Sequence, residues 1–467
     1  MAMNMEGIEI TAPKGPVLSD WQPENQEFWQ LYGKSIANRN LWISIPALLL
    51  AFAVWMVWSA VTVRLNSVGF HFSVNQLFWL TALPGLSGAT LRIFYAFIVP
   101  VVGGRRWTTL STASLLLPAL WMGIAVQNCH TTYFEFVVIA LLCGFGGGNF
   151  ASSMANISFF FPKQYQGTAL GLNAGLGNLG VSVVQFVVPV VVTSSLLGGL
   201  AGAPQVLSNG QHLWLQNAAF VWVPPIALMT ILSWLRMNDI QSARSSFREQ
   251  SIIFRRTHNW LMCWLYTATF GSFIGYAAAF PMLTKMEFPA VDPLRYAFLG
   301  PLLGALARPL GGWVADQLGG ARVTFWNFLM MTAAVFGVLG ALPHGGGQGH
   351  FGRFLGMFLV LFITTGVGNG STFRMIPVLF RTLSDRRTPQ ASIEERQRNA
   401  ARESAAVLGF SSAVAAFGAF FIPKSFGTSI SLTGGPEMAF MMFIVFYLSC
   451  IAVTWWWYAR PQAKTPC

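Results

Sequence analysis

Carboxylates are scarce in this chain. Asp and Glu number 16 among 467 residues, and nearly all fall in tails or in loops between apolar stretches. Charged residues of both signs make up only 9%, against about a quarter in soluble domains, which excludes an ordinary soluble fold. Histidine is equally sparse: His71, His130, His212, His258, His344 and His350 all fall in loops or at the ends of apolar runs. None is placed to ligate a haem inside a membrane or to switch protons along an intramembrane path. The five cysteines form no CxxC pair, and three of them lie inside apolar runs. They read as small buried hydrophobes, so neither a metal site nor any other cofactor is expected. The first 40 residues lack the basic start, short apolar core and small-residue cleavage site of a signal peptide. The first apolar run is therefore expected to serve as the insertion signal.

What fills the chain instead is apolar length. Hydrophobic residues make up 54%, with 18 Trp and 40 Phe. About twenty apolar residues cross a bilayer. Twelve such runs are readable, at 41–63, 75–103, 107–127, 133–161, 167–197, 216–235, 260–283, 295–317, 322–343, 352–380, 403–431 and 436–458. They predict an all-α integral membrane protein. Residues 1–40 read as a polar N-terminal segment, 41–235 and 260–458 as two six-helix bundles, 236–259 as a basic linker, and 459–467 as a tail. Gly345-Gly346-Gly347 and the stretch around 198–212 read as external loops, and 384–402 as a short charged helix or loop between spans ten and eleven. The net charge of +12 does not signal nucleic acid, because the basic residues sit in short loops between the apolar runs. With the N-terminus inside, twenty Lys and Arg fall on cytoplasmic segments and five outside. That bias predicts that both termini are cytoplasmic. A monomer that performs no enzymatic reaction is the expectation.

Two arginines break the apolar pattern. Arg92 and Arg308 each lie in the middle of a run, in matching frames: Gly88-Ala89-Thr90-Leu91-Arg92 and Gly304-Ala305-Leu306-Ala307-Arg308. Each is followed by a glycine pair, Gly103-Gly104 or Gly319-Gly320, and then by Arg106 or Arg322. Twelve to fourteen helical residues from the basic edge is about 18–21 Å, near the middle of a ~30 Å hydrocarbon core. A charge there costs several kcal/mol unless compensated, and marks a functional site by default. The repeat continues: Leu170-Gly171 with Gly180 matches Leu408-Gly409 with Gly418, and Gly144–Gly148 has its counterpart in Gly366–Gly370. An internal repeat of this kind is the pattern of a transporter whose site lies between two similar halves. Isolated, the glycines would mean only close helix packing.

No span interior offers a carboxylate to either arginine. Two guanidiniums about 8 Å apart repel by roughly 2 kcal/mol at an effective dielectric of 20, while a monoanion about 4 Å from both gains roughly 8. The bound anion wins. Arginine supplies a planar fork for a planar oxyanion and stays charged at any accessible pH. Asn173, Asn178 and Tyr266 could donate to oxygens the arginines leave over, with Phe150 and Phe270 as aromatic walls. The bland alternatives are helix–helix hydrogen bonds for the polar residues and plain packing for the rings.

Three stretches carry a resemblance: Ala169 to Asn178 (ALGLNAGLGN), Asn149 to Pro162 (NFASSMANISFFFP) and Gly370-Ser371-Thr372-Phe373. They resemble signatures of the nitrate/nitrite porter family of the major facilitator superfamily. Arg39–Ser44, Leu141–Phe145 and Thr269–Gly275 are similar to its bacterial NarK-type members. The resemblance spans about Asp20 to Tyr458. It implies the major facilitator fold, twelve transmembrane helices in two pseudo-symmetric six-helix bundles, and nitrate and nitrite as substrates. By the same resemblance Arg92 and Arg308 match the pair that clamps the anion, and Asn178, Tyr266, Phe150, Phe270 and Gly409 match residues lining the pocket. Ala174, Ala415 and Ala419 depart from family glycines, which puts the close approach of those helices in question. Arg374 stands where close relatives resemble one another in having glutamine.

The expected function is exchange of nitrate for nitrite by alternating access around the arginine pair. Proton-coupled nitrate symport is the alternative, and it would need a titrating group on the path. Asp316, beside Gly319-Gly320, is expected to pair with cytoplasmic helix ends; its counterpart in the first half is Pro100. Arg374 is read as reaching the cytoplasmic interface.

Overall fold

The computed structural model describes residues 2–3, 9–10, 15–207, 209–241, 251–343, 349–387, 389–390, 392–463, 465 and 467. The expected loop at Gly345-Gly346-Gly347, His344, and the linker arginines Arg244 and Arg248 lie outside them. Twelve long helices occupy most of the described chain. They are α1 (Gln26–Val68), α2 (Val74–Val102), α3 (Gly104–Ala125), α4 (Tyr133–Phe160), α5 (Lys163–Val192), α6 (Asn217–Arg236), α7 (257–287), α8 (Leu299–Leu318), α9 (Gly320–Leu339), α10 (Phe351–Arg387), α11 (Ile393–Ala416, then Gly418–Thr433) and α12 (Glu437–Ala459). Ten of them are long and apolar enough to cross a membrane. The two that fall short, α7 and α8, are the ones that carry Tyr266, Phe270 and Arg308.

Local chemistry sets the ends. Ser73 and Gln76 form a reciprocal capping box at the start of α2, and Thr132 accepts from the Glu135 amide at the start of α4. Gly103 and Gly319 terminate α2 and α8 with φ of 99° and 90°, a conformation side-chain-bearing residues rarely adopt. α1 starts fifteen residues before the apolar run does, through a π-helical turn at Trp29–Gly33. α10 runs on to Arg387 and α11 begins at Ile393, so the charged segment 384–402 is mostly helix extension rather than a separate connector.

The glycines of the arginine frame let helices touch. A side chain at Gly88 would strike Trp55 and the Gly147 backbone of α4; one at Gly304 would strike Phe273 and the Phe362 carbonyl of α10. In the second half, a side chain at Gly366 would run into the carbonyl of Gly304. The α11 alanines whose close approach was in question do not open these seams. Ala419 is fully buried against Gly85 of α2, and the Ala415 carbonyl lies against Gly271 of α7, so the glycine stands on the facing helix.

Both ends of the described chain lie at one face of the bundle. Val17–Leu18 pairs in parallel with Asp239–Ile240, just after α6, and the Cys467 carbonyl accepts from the Ala321 amide at the start of α9. At this terminal face Asp316 pairs with Arg374 of α10, both half-exposed, so Arg374 does reach a polar boundary. The first half lacks a carboxylate at Pro100 but recruits one from afar. Asp239 accepts from the Arg105 amide at 2.7 Å and lies 3.8 Å from the Arg106 guanidinium. On the far side, Gln205–Val206 pairs antiparallel with His212–Leu213.

The halves meet tightly at the opposite, far face. Arg64 of α1 pairs with Asp292 at 2.7 Å; Ser182 Oγ of α5 donates to the Phe298 carbonyl at 2.9 Å; Gln185 Nε2 donates to the Ala277 carbonyl at 2.7 Å. Toward the terminal face, Gly171 and Gly175 of α5, Gly312 of α8 and Gly409 of α11 have no atom within 4 Å of where a Cβ would stand. The seam is sealed on the far side and parts on the terminal side.

Candidate functional site

Arg92 sits where both halves meet. Its side chain is fully buried, and the glycine spacing of α4 exposes the carbonyl that receives it. Nε donates to the Gly147 carbonyl at 2.9 Å, and Nη1 reaches across to the Ser412 carbonyl of α11 at 3.3 Å. The guanidinium carbon lies 4.9 Å from the Phe150 ring centroid, 5.5 Å from Phe270 and 5.3 Å from Trp55. Nη2 is buried with no protein acceptor.

Arg308 comes from the equivalent turn of α8 and is half-buried. Its Nη2 donates to the Tyr266 hydroxyl at 3.4 Å, and its guanidinium carbon lies 5.2 Å from the Phe373 ring. Nη1 is again buried without an acceptor. Among the described residues neither arginine takes part in an ion pair.

The rings between them form one stack. Phe150 of the first half lies against Phe270 of the second, with centroids 6.4 Å apart and planes 27° from parallel. Phe270 stacks in turn on Tyr266 at 5.6 Å and 13°. α7 achieves this with a π-helical turn, Thr267–Gly271, which resets the register between the two rings. The stack thus runs from the Arg92 cation to the hydroxyl that contacts Arg308. Cation–π contact of this sort favours a guanidinium by about 0.5–2 kcal/mol and keeps water from its face.

Of the other expected residues, Asn178 is buried with its Oδ1 unpartnered. Gly409 borders the open part of the seam, three residues before Ser412. Asn173 is buried too: its Nδ2 donates to Ser153 Oγ at 2.8 Å, and Ser153 in turn bonds Ser44, which ties α5, α4 and α1 together, while its Oδ1, like that of Asn178, has no protein partner. Sequence reasoning missed four contributors: Trp55, Phe373 and the carbonyls of Gly147 and Ser412. Phe373 ends the Gly-Ser-Thr-Phe signature and could have been found there; nothing in the sequence points to Trp55. No histidine or carboxylate side chain is bonded to either arginine among the described residues, and no cluster of metal-ligating side chains occurs among them.

Comparison with known proteins adds a lineage to this geometry. Residues 43–393 match the Major Facilitator Superfamily. The nitrate/nitrite transporter NarU of Escherichia coli (strain K12) is 53% identical over 449 residues, covering 95% of this chain and 96% of that protein. The probable nitrate/nitrite antiporter NarK2 of Thermus thermophilus is 42% identical over 467 residues, covering 98% and 100%. Among solved structures, the crystal structure of a D-xylose-proton symporter superposes with a TM-score of 0.65 over 90% of this chain and 97% of that one, at 14% identity, a likeness of fold alone.

Proposed function

The chain belongs to the nitrate/nitrite porter family of the major facilitator superfamily, and from that membership we propose that it exchanges nitrate for nitrite across the bacterial inner membrane by alternating access. One observation carries the reading: a guanidinium from each half keeps a buried nitrogen without a protein acceptor, and among the described residues no carboxylate pairs with either. A small planar oxyanion accepts from both donors and removes their mutual repulsion. Asn178 and Tyr266 lie on the same pocket in this reading, and the Phe150–Phe270 stack excludes water from one side of it.

The terminal face is the cytoplasmic one, as the surplus of Lys and Arg there requires. The arrangement with the far side sealed is then the inward-facing state. Reversal separates the far-side contacts and closes the terminal-side seam. With the site vacant, bringing two uncompensated guanidiniums together in a closed, low-dielectric interface is costly, so reorientation needs an anion aboard. That makes exchange the natural mode. The absence of a histidine or carboxylate on the described arginines speaks for exchange over proton symport.

Proteoliposomes loaded with nitrite and given labelled nitrate test this directly. Rapid uptake with no change in a lumenal pH dye, and little uptake when the lumen holds no transported anion, is the expected result. Equal uptake without an internal anion, or stoichiometric acidification, would overturn exchange.

A further inference from the structure

Among the described residues, a cation in the far-face seam between α2 and α11 takes part in no ion pair. Lys424, in the outer part of α11, bridges the seam to α2. Its Nζ donates to Asn75 Oδ1 at 3.2 Å and to Thr428 Oγ1 at 2.8 Å, and lies 4.7 Å from the Trp79 ring. The surrounding seam closes by apolar contact: Trp79 on Phe420, Phe78 against Gly427, Gly85 against Ala419. A neutral glutamine could make the same hydrogen bonds, and the side chain is only partly buried. The seam itself therefore does not need the ammonium.

We propose that Lys424 is the outer capture residue for the transported anion, which rests on the alternating-access reading. Along α11, Lys424 lies twelve residues beyond Ser412, whose carbonyl holds Arg92; that is about 18 Å outward. When α2 and α11 separate to open the far face, Asn75 and Trp79 leave with α2 and only Thr428, on its own helix, stays. The ammonium then stands in the outer vestibule as an unneutralised point charge. A compact, strongly hydrated ammonium suits a brief first encounter, whereas the guanidinium forks deeper in suit a clamp. Asp292, an acid of the far face, is held by Arg64 in the closed state and parts from it on opening. Lys424 supplies the positive field that draws an oxyanion past that carboxylate.

The test uses full-length protein in vesicles of both orientations, with labelled nitrate as the probe. Lys424→Gln should raise the apparent KM at the outer face roughly three- to tenfold at low ionic strength, with the difference shrinking toward physiological salt as the Debye length falls from ~30 to ~8 Å. The apparent KM at the cytoplasmic face should stay at the wild-type value, and Lys424→Arg should behave as wild type on both sides. An unchanged outer KM in Lys424→Gln, an equal rise on both faces, or failure of Lys424→Arg to preserve function would each overturn the capture role. Loss of nitrite-dependent counterflow in the wild-type protein would instead remove the exchange reading and this proposal together.

Discussion

At the residue scale the account depends on hydrogen-bonding forks, not on charge alone. Arg92→Lys and Arg308→Lys keep the charge but lose the paired donors, whose charge-assisted bonds contribute about 1.5–3 kcal/mol each. Counterflow per inserted molecule should fall about ten- to a hundredfold in either variant, while membrane insertion persists. The two span-five amides should separate cleanly. Asn178→Ala should raise the apparent KM, since its side chain is buried with Oδ1 unpartnered by protein. Asn173→Ala should leave KM alone and lower thermal stability, by roughly 0.6 kcal/mol or somewhat more, because its Nδ2 is held by Ser153. The arginines were legible in the sequence because a charge amid apolar residues has few explanations. The span-five amides were not, since an amide looks the same whether it faces a ligand or a neighbouring helix. Phe373 was quoted within a signature yet not assigned to the site, and only its position over Arg308 gives it a role.

At the scale of helices, glycine placement decides which contacts can form. A methyl at Gly366 meets the Gly304 carbonyl, a rigid backbone atom, so Gly366→Ala should cost about 1–3 kcal/mol and lower the melting temperature in detergent. Gly312→Ala, on the adjoining face of α8 with open space around it, should leave the melting temperature unchanged. Equal losses in both would mean that helix flexibility rather than close approach sets the effect. The twelve long helices coincide with apolar runs in the sequence, ten of them long and apolar enough to cross a membrane, but several of their ends were not readable. Hydrogen-bonded helix continues through polar residues once nucleated, as α1 does from Gln26 and α10 to Arg387, whereas an apolar count stops at the bilayer edge. The π-helical turn of α7 left no trace in composition, since its residues, Thr267–Gly271, are ordinary for a span. Asp239 was missed for another reason: its partner lies 134 residues earlier in the chain.

For the whole molecule the balance between the two openings sets the rate, and the far-face contacts bias it. Arg64–Asp292 is a partly exposed pair, with side chains 25% and 35% accessible, so it contributes about 1 kcal/mol or less. Arg64→Gln should therefore shift the population toward the outward-open state by only a few-fold. A cysteine placed at Ser182, in a background with the exposed Cys129 replaced, reads this through its labelling rate by a membrane-impermeant thiol reagent. Labelling should quicken in Arg64→Gln and return to the original rate when Arg64→Asp is combined with Asp292→Arg. Unaltered labelling in the single variant would show that the neutral seams alone hold the far face shut. The two-half architecture was legible as a repeat of glycines and arginines, but the state in which the halves rest depends on cross-bundle contacts such as Ser182 with Phe298, which no local pattern encodes.

The most direct measurement is a structure of the protein determined with nitrate bound. A single nitrate within about 3 Å of both the Arg92 and Arg308 guanidiniums, taking up Nη2 of one and Nη1 of the other, is the result expected. A nitrate held by one arginine alone, or bound elsewhere while an acidic side chain moves in to neutralise the pair, would contradict the account.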